Sequence, residues 1–424
     1  MNKVDMNKRK IILEVAIAAV FGVMAADKPQ RVVELIAPGD GVRLHALPAA
    51  QRAVLAGATR DERRNIASTE SGPWRTNAPF VVTWQAEHGT KGPWKIRIGT
   101  DPELSNGRNW FVRARDIRPD YNGVYRYELP RPNLEPGRRY WWRVWGQARC
   151  SRWECGSTVR PGGCECGATG PAPASQTWSF TVEDSAPRWI DLEGRTGNVR
   201  DLGGWRTEDG HRVRRGLLFR GEAFNDNSVN AEEVGARRLT MEDADYLVKT
   251  LGIRTELDLR TRFETASMKA SPLGPSVRYV HRSSLAYPDI FTPEGKAAMA
   301  ANFRLLSVRE NLPAYFHCIA GADRTGSLAY VLNGVLGVGR EDLERDWECT
   351  FYPCVPNVER NNYGQEFTDG TFWRSMSFFD KGFARYAKDG DTLRNRIEAY
   401  LLDCGVTAAE IARFRSIMLE PTDR

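Results

Sequence analysis

A chain of 424 residues has room for two domains, and its 41% hydrophobic and 27% charged residues exclude a disordered or fibrous protein. A net charge of +6 suits anionic substrates, and no Lys/Arg run interleaved with aromatics marks a nucleic-acid surface.

Met1 to Ala26 reads as a secretory leader. Lys3, Lys8, Arg9 and Lys10 form a basic start, Ile11 to Ala25 is mainly apolar though broken by Glu14, and Val23-Met24-Ala25 precedes a plausible cut. The expected location is secreted or periplasmic, or membrane-anchored if the leader is uncleaved. A cytosolic amphipathic helix is the rival reading. No other segment reaches the roughly 18 apolar residues that span a bilayer.

Residues 27–185 are expected to form an all-β sandwich. Val32 to Ile36 reads as a strand, Ala37 to Gly41 as a turn, and Ala49 to Ile66 as a short helical insertion. Strands follow at Phe80–Trp84, Trp94–Ile98, Trp110–Ala114, Val124–Leu129, Tyr140–Trp145 and Thr177–Val182. About seven short alternating strands suit two packed sheets with their aromatics inside. Leu134 to Val144 and Trp178 to Val182 resemble bacterial fibronectin type III modules. A glycan or protein partner for this module is the associated expectation.

Cys150, Cys155, Cys164 and Cys166 fall in a Gly/Pro-rich insert, 149–175. In an exported protein two disulfides fit such a loop, and the connectivity stays open. Zinc is the rival, although Cys-x-Cys is not the usual knuckle spacing.

Residues 186–424 alternate strands with helices, which predicts an α/β sheet with helices on its faces. Leu217–Arg220, Glu256–Leu259 and Val277–Arg282 are strands. Thr240–Leu251, with Thr240 as its cap, and Pro293–Glu310 are helices. Leu312 to Phe316 is a short buried strand, and a helix carries Leu328, Val331, Leu332, Val335 and Leu336 up to Gly337. Helices are expected at Arg340–Tyr352, Phe372–Tyr386 and Thr392–Leu402, and from Thr407 onward.

Between that strand and helix lies His317-Cys318-Ile319-Ala320-Gly321-Ala322-Asp323-Arg324-Thr325-Gly326. Such a loop can turn its amides inward at a helix N-terminus and bind an oxyanion. Gly321 permits the curl, and the Arg324 fork can hold two phosphate oxygens. Ile319 to Arg324 are therefore the candidate phosphate ligands. Cys318 sits at the floor, where positive surroundings favour a thiolate nucleophile. Thr325 is placed to donate to its sulfur, and His317 to fix the loop from outside. Cys354 to Arg360 repeats the Cys-to-Arg spacing, but with Pro356 inside and no glycine.

This string resembles the cysteine-dependent protein tyrosine phosphatase superfamily, in particular a bacterial branch with His-Cys-x-Ala-Gly-Lys-Asp-Arg-Thr-Gly. Asn198 to Gly204, Arg215 to Gly221, and Leu251 to Arg260 with Glu264 resemble further segments of that branch. The resemblance runs from about Trp189 to Leu419, and Ala322 stands where the branch usually has Lys. It implies a metal-free, cofactor-free two-step hydrolysis through a cysteinyl-phosphate, with a phosphorylated protein or small phosphomonoester as substrate. It also implies that Arg200 and Asp201 brace the cradle, and that Asp323 is the general acid. Asp289, in Tyr287-Pro288-Asp289, resembles the mobile acid loop of the classical enzymes and is the competing acid. Asp258 and Arg260 fit a buried brace. Phosphoinositide hydrolysis and a catalytically weak phosphate-binding module are the alternatives. Cys349 and Cys354 pair or stay buried, and Cys404 is expected to be unpaired.

Overall fold

Alternating apolar residues build the first half of the computed structural model. It describes residues 33–69, 75–86, 92–146, 174–194, 196–224, 239–265, 268–352 and 375–421. The leader, the four-cysteine insert and Cys354 lie outside these residues.

β1 (Val33–Ala37), β3 (Val81–Ala86) and β6 (Val124–Glu128) form one antiparallel sheet. A second sheet runs β2 (Val42–Leu44), β8 (Trp178–Val182), β7 (Arg139–Trp145), β4 (Trp94–Gly99) and β5 (Arg108–Val112). Period-two side chains from both sheets enclose one core. Trp84, Trp94, Trp142, Ile96, Val144 and Phe180 in it are all 0% exposed. The opposite face of β7 carries an Arg/Trp ladder, with Arg139 over Trp141 at 5.1 Å and Arg143 over Trp145 at 5.2 Å.

The second half is built on a six-stranded sheet. β13 (Arg278–His281), β12 (Thr255–Asp258), β14 (Ala314–His317) and β11 (Leu218–Gly221) are parallel neighbours in that order. β10 (Arg200–Asp201) and β9 (Arg188–Trp189) add an antiparallel edge. Successive residues serve opposite faces. Leu218 and Phe316 enter the larger core, while Phe219 and Tyr315 enter a smaller one behind the sheet.

Helices α3 (Met241–Asp245), α4 (Pro293–Leu306), α5 (Asp323–Leu336), α6 (Arg340–Glu348), α7 (Met376–Ala384), α8 (Leu393–Asp403) and α9 (Ala408–Met418) complete this half. Thr240 closes a capping box with Asp243, as its sequence position suggests. The helix expected to reach Leu251 instead passes into a π-helical turn at Tyr246–Thr250. Gly337 ends α5 with φ at 98°.

One assignment is corrected. The helical piece expected as an insertion of the β module is two helices, α1 (Ala49–Ala56) and α2 (Arg60–Thr69), broken at Gly57. They pack on the other half, where Leu47, Val54 and Ala67 share a core with Trp189, Leu202 and Trp205. Trp189 Nε1 donates to Gln51 Oε1 at 3.0 Å.

Candidate active site

The loop leaves the carboxyl end of β14, the strand held between β12 and β11, which is where open α/β sheets place their ligands. Gly321 has φ at 69°, and a Cβ there would sit 2.4 Å from the carbonyl oxygen of Gly221. Only glycine fits.

Four consecutive carbonyls of the loop are bonded from outside. Cys318 O accepts from His317 Nδ1 at 2.9 Å. Ile319 O accepts from the Ala223 amide at 2.9 Å. Ala320 O accepts from Asn198 Nδ2 at 3.1 Å, and Gly321 O from Arg220 Nη2 at 2.9 Å. A trans peptide points its N–H opposite its C=O. The amides of Ile319, Ala320, Gly321 and Ala322 therefore turn to the inner side. This is the geometry an oxyanion needs, with the N-terminus of α5 adding its dipole. Cys318 is a free thiol, 2% exposed, at the root of the loop.

Arg324 closes the far side. Its Nη1 and Nη2 donate to the two carboxylate oxygens of Glu264 at 2.6 and 2.9 Å. Burial would lower the Arg324 pKa, but the Glu264 bond and the charges of Cys318, Glu264 and Asp323 raise it above the usual value. The guanidinium has five hydrogens, and this pairing uses two of them.

The scaffold behind the loop is a buried charge network. Arg200 Nε donates to Asp346 Oδ1 at 3.0 Å, and its Nη2 donates to Asp346 O and Thr350 Oγ1. Its Nη1 donates to the side-chain oxygen of Asn198, the residue that holds Ala320. Arg220 Nη1 donates to Asp346 Oδ2 at 2.7 Å. Burial and the neighbouring Arg200 lower the Arg220 pKa to about 10. Burial would raise the Asp346 pKa, but the two arginines outweigh it and hold the carboxyl below its usual range.

Arg200 thus reaches the cradle through Asn198 and Asp346. Asp201 does not, because its oxygens accept from the Gly203 and Gly216 amides and hold a turn away from the loop. His317 Nε2 faces Glu256 Oε1 at 2.9 Å, which fixes the ring from behind. Asp258 pairs with Arg260 at 2.7 Å as a buried brace. Thr325 departs from expectation, since its buried hydroxyl makes no hydrogen bond to Cys318 or to any other described residue. Ala322 is 0% exposed and its methyl joins the larger core.

The two candidate acids are placed differently. Asp323 begins α5 and accepts a hydrogen bond from the Tyr287 hydroxyl. The Asp289 side chain is exposed, and its backbone carbonyl accepts from the Thr292 hydroxyl. It is Tyr287, two residues earlier, that reaches Asp323. Arg220, Asp346, Thr350 and Tyr287 went unread as site residues. Arg220 lay inside a segment singled out by resemblance, whereas Asp346 sits in a charge-rich helix that reads as solvated.

Among the described residues no group of three His, Cys, Asp or Glu side chains is arranged to hold a metal ion. Cys349 is a buried free thiol whose pKa burial pushes up, and Cys404 is free with its pKa raised by burial to about 11.

The parallel sheet and the loop at its carboxyl end mark a phosphatase-type α/β domain, and so a hydrolase. Residues 190–420, more than half of the chain, match the tyrosine phosphatase family, and the chain belongs to that family. A Cupriavidus necator protein named as a tyrosine-protein phosphatase is 28% identical over 197 residues, covering 39% of this chain and 67% of that one. The core catalytic domain of a PP-IP phosphatase from S. cerevisiae is 10% identical, covering 38% of this chain and 88% of that one. Its TM-score of 0.23 is too low to argue from.

Proposed function

We propose that the protein is a phosphomonoester hydrolase working through a cysteinyl-phosphate, with phosphotyrosine-like or broad phosphomonoester substrates. The observation that carries this reading is the outward bonding of all four carbonyls from Cys318 to Gly321 around a buried cysteine.

In the first step the Cys318 thiolate attacks phosphorus. An S–P bond forms, the bond from phosphorus to the leaving oxygen breaks, and the Asp323 carboxyl gives that oxygen its proton. Water then attacks phosphorus and gives a proton to the Asp323 carboxylate. The S–P bond breaks, and phosphate leaves with the thiolate restored. The inward amides and Arg324 stabilise the equatorial oxygens, so the steps use no metal or cofactor. Asp323 is preferred to Asp289 because Asp323 starts the helix that follows the loop, and Tyr287 holds its carboxyl.

The β-rich half is read as a fibronectin type III-like module, supported by its two sheets and their shared aromatic core. Export is inferred from Met1 to Ala26. No helix among the described residues is long and apolar enough to cross a membrane.

The test is turnover of p-nitrophenyl phosphate in EDTA by wild type and Cys318→Ser. A hydroxyl is a much weaker nucleophile in an unchanged cradle, so the variant should lose at least about a thousandfold while still binding vanadate. Residual turnover within about tenfold of wild type, a barrier change of only about 1.4 kcal/mol, rejects the covalent mechanism.

A further inference from the structure

The contact between α2 and α6 does more than join the two halves. Arg63 on α2 is 0% exposed. Its Nε donates to Glu348 Oε2 at 2.7 Å, and its Nη2 donates to Glu348 Oε1 and Glu344 Oε1, each at 2.8 Å. Arg60 adds a two-pronged grip on Glu344 at 2.8 and 2.6 Å. In return, Arg345 Nη2 of α6 donates to the Gly57 carbonyl between α1 and α2 at 3.0 Å.

At 3.6 residues per turn, Glu344 and Glu348 share one face of α6, and Asp346 lies on the opposite face. Asp346 binds both Arg200 and Arg220, and Arg220 holds the Gly321 carbonyl of the loop. Next to it, Trp347 packs on the first turn of α5, where a Cβ on Gly326 would lie 3.0 Å from its Cδ1. Thr350, just past α6, accepts from Arg200 and from Asn198, which holds Ala320. One helix of nine residues thus carries the N-terminal half on one face and the scaffold of the cradle on the other.

The chemistry of the contact is informative. Apolar side chains would join two helices without the desolvation penalty of burying Arg63, Glu344 and Glu348. What the bidentate pairs add is a fixed position along and around α6. A shift of α6 would move Asp346, and with it both arginines.

We propose that Arg63 is a positioning residue for the phosphate cradle, acting through α6, so that the α1–α2 pair of the N-terminal half is part of the phosphatase machinery. This rests on the reading of the loop as an oxyanion cradle. Loss of Arg63 removes a two-pronged grip on the buried Glu348 and one of three described arginine contacts on Glu344, with Arg60 and Arg340 the others, and the strain reaches the loop carbonyls in two steps, Asp346 to Arg220 to Gly321.

The test uses the full chain, with inorganic tungstate as the probe and calorimetry as the readout, beside thermal melting. Arg63→Met should bind tungstate at least about fivefold more weakly, a coupling in the usual range for linked sites. Arg63→Lys should fall between that variant and wild type. Asp184→Asn removes a different ion pair between the halves, with Arg212 and Arg215, and should lower melting without changing tungstate affinity. If Arg63→Met does not fold, Arg60→Met replaces it under the same criteria, because the Arg60 side chain is 37% exposed. Tungstate affinity within about twofold of wild type, despite lower melting, overturns the proposal. Equal weakening in Asp184→Asn overturns it as well, because the effect is then general loosening. Wild type that binds tungstate but turns over no p-nitrophenyl phosphate defeats the enzyme reading and leaves this test standing. Wild type that does not bind tungstate defeats both.

Discussion

Tyr287 holds φ at 55°, a left-handed conformation that costs a side chain with a Cβ about 1–2 kcal/mol. Its surroundings enforce this. The amide donates to Ser327 Oγ, the ring meets Trp347 and Phe379 at 6.3 and 6.0 Å, and the hydroxyl donates to Asp323. Strain held in place by so many contacts marks a position set for a purpose. Tyr287→Phe keeps the ring and deletes the bond that aims the carboxyl. We expect turnover of a phosphotyrosine peptide to fall by up to about tenfold, the worth of one neutral hydrogen bond to the protonated carboxyl. Turnover of p-nitrophenyl phosphate, whose leaving group needs little protonation, should fall less. Equal losses on the two substrates would place the role of Tyr287 in the cradle instead. A second residue-scale expectation concerns Glu264. Burial would raise its pKa, but Arg324 holds it down to about 2. A carboxyl held below its unfolded value near ~4.3 contributes its full stability above that value and loses it as pH falls through the folded value. Urea midpoints should therefore fall between about pH 5 and about pH 2.5, and fall less steeply in Glu264→Gln. Parallel curves for the two proteins would show that the pair contributes nothing to acid stability.

At the scale of elements, α6 decides how the cradle is supported. Asp346 is the only described side chain that binds both Arg200 and Arg220, and all three groups are buried. Asp346→Asn keeps the shape and removes the charge. Breaking a buried ion cluster from one side costs about 3–5 kcal/mol, because the remaining charges have no counter-ion. Chemical denaturation should show that loss, together with weaker oxyanion binding. A drop below about 1 kcal/mol would mean that Asp346 acts only as a neutral acceptor. The same helix shows where sequence reading stops. The cradle was legible because strand, loop, glycine and helix start follow one another within about a dozen residues and constrain each other locally. The sequence Arg340 to Glu348 has seven charges in nine residues and reads as a solvated surface. Glu344, Asp346 and Glu348 are buried because arginines from Arg63, Arg200 and Arg220 arrive from distant parts of the chain. Arg63 itself lies in a strongly polar helix with no local sign of its partners. Asp289 drew attention through a local dipeptide, while the contact that matters belongs to Tyr287 and depends on how its loop crosses α5.

For the whole molecule, the boundary at residue 186 that the sequence suggests does not separate two independent cores. Leu47, Val54 and Ala67 share the larger core of the second half. Asp191 accepts from Thr76 and Asn77, and its amide donates to Asn133 at 2.8 Å. Arg212 and Arg215 hold Asp184. A fragment of residues 186–424 loses all of these contacts. Leu47 and Val54 are each worth about 1.5–3 kcal/mol in burial, and the Ala67 methyl about 0.8 kcal/mol. Glu344 and Glu348 lose Arg60 and Arg63 and turn to water, so this contact adds little to the loss. That loss is comparable to the lower end of the stability of an ordinary domain, about 5–15 kcal/mol. We therefore expect the 186–424 fragment to be insoluble, or to melt without cooperativity, whereas a chain beginning at residue 33 melts as one sharp transition. Circular dichroism melts of the two chains decide the matter. A cooperative 186–424 fragment with wild-type turnover would show that the phosphatase half stands alone and that α1 and α2 are passengers on it.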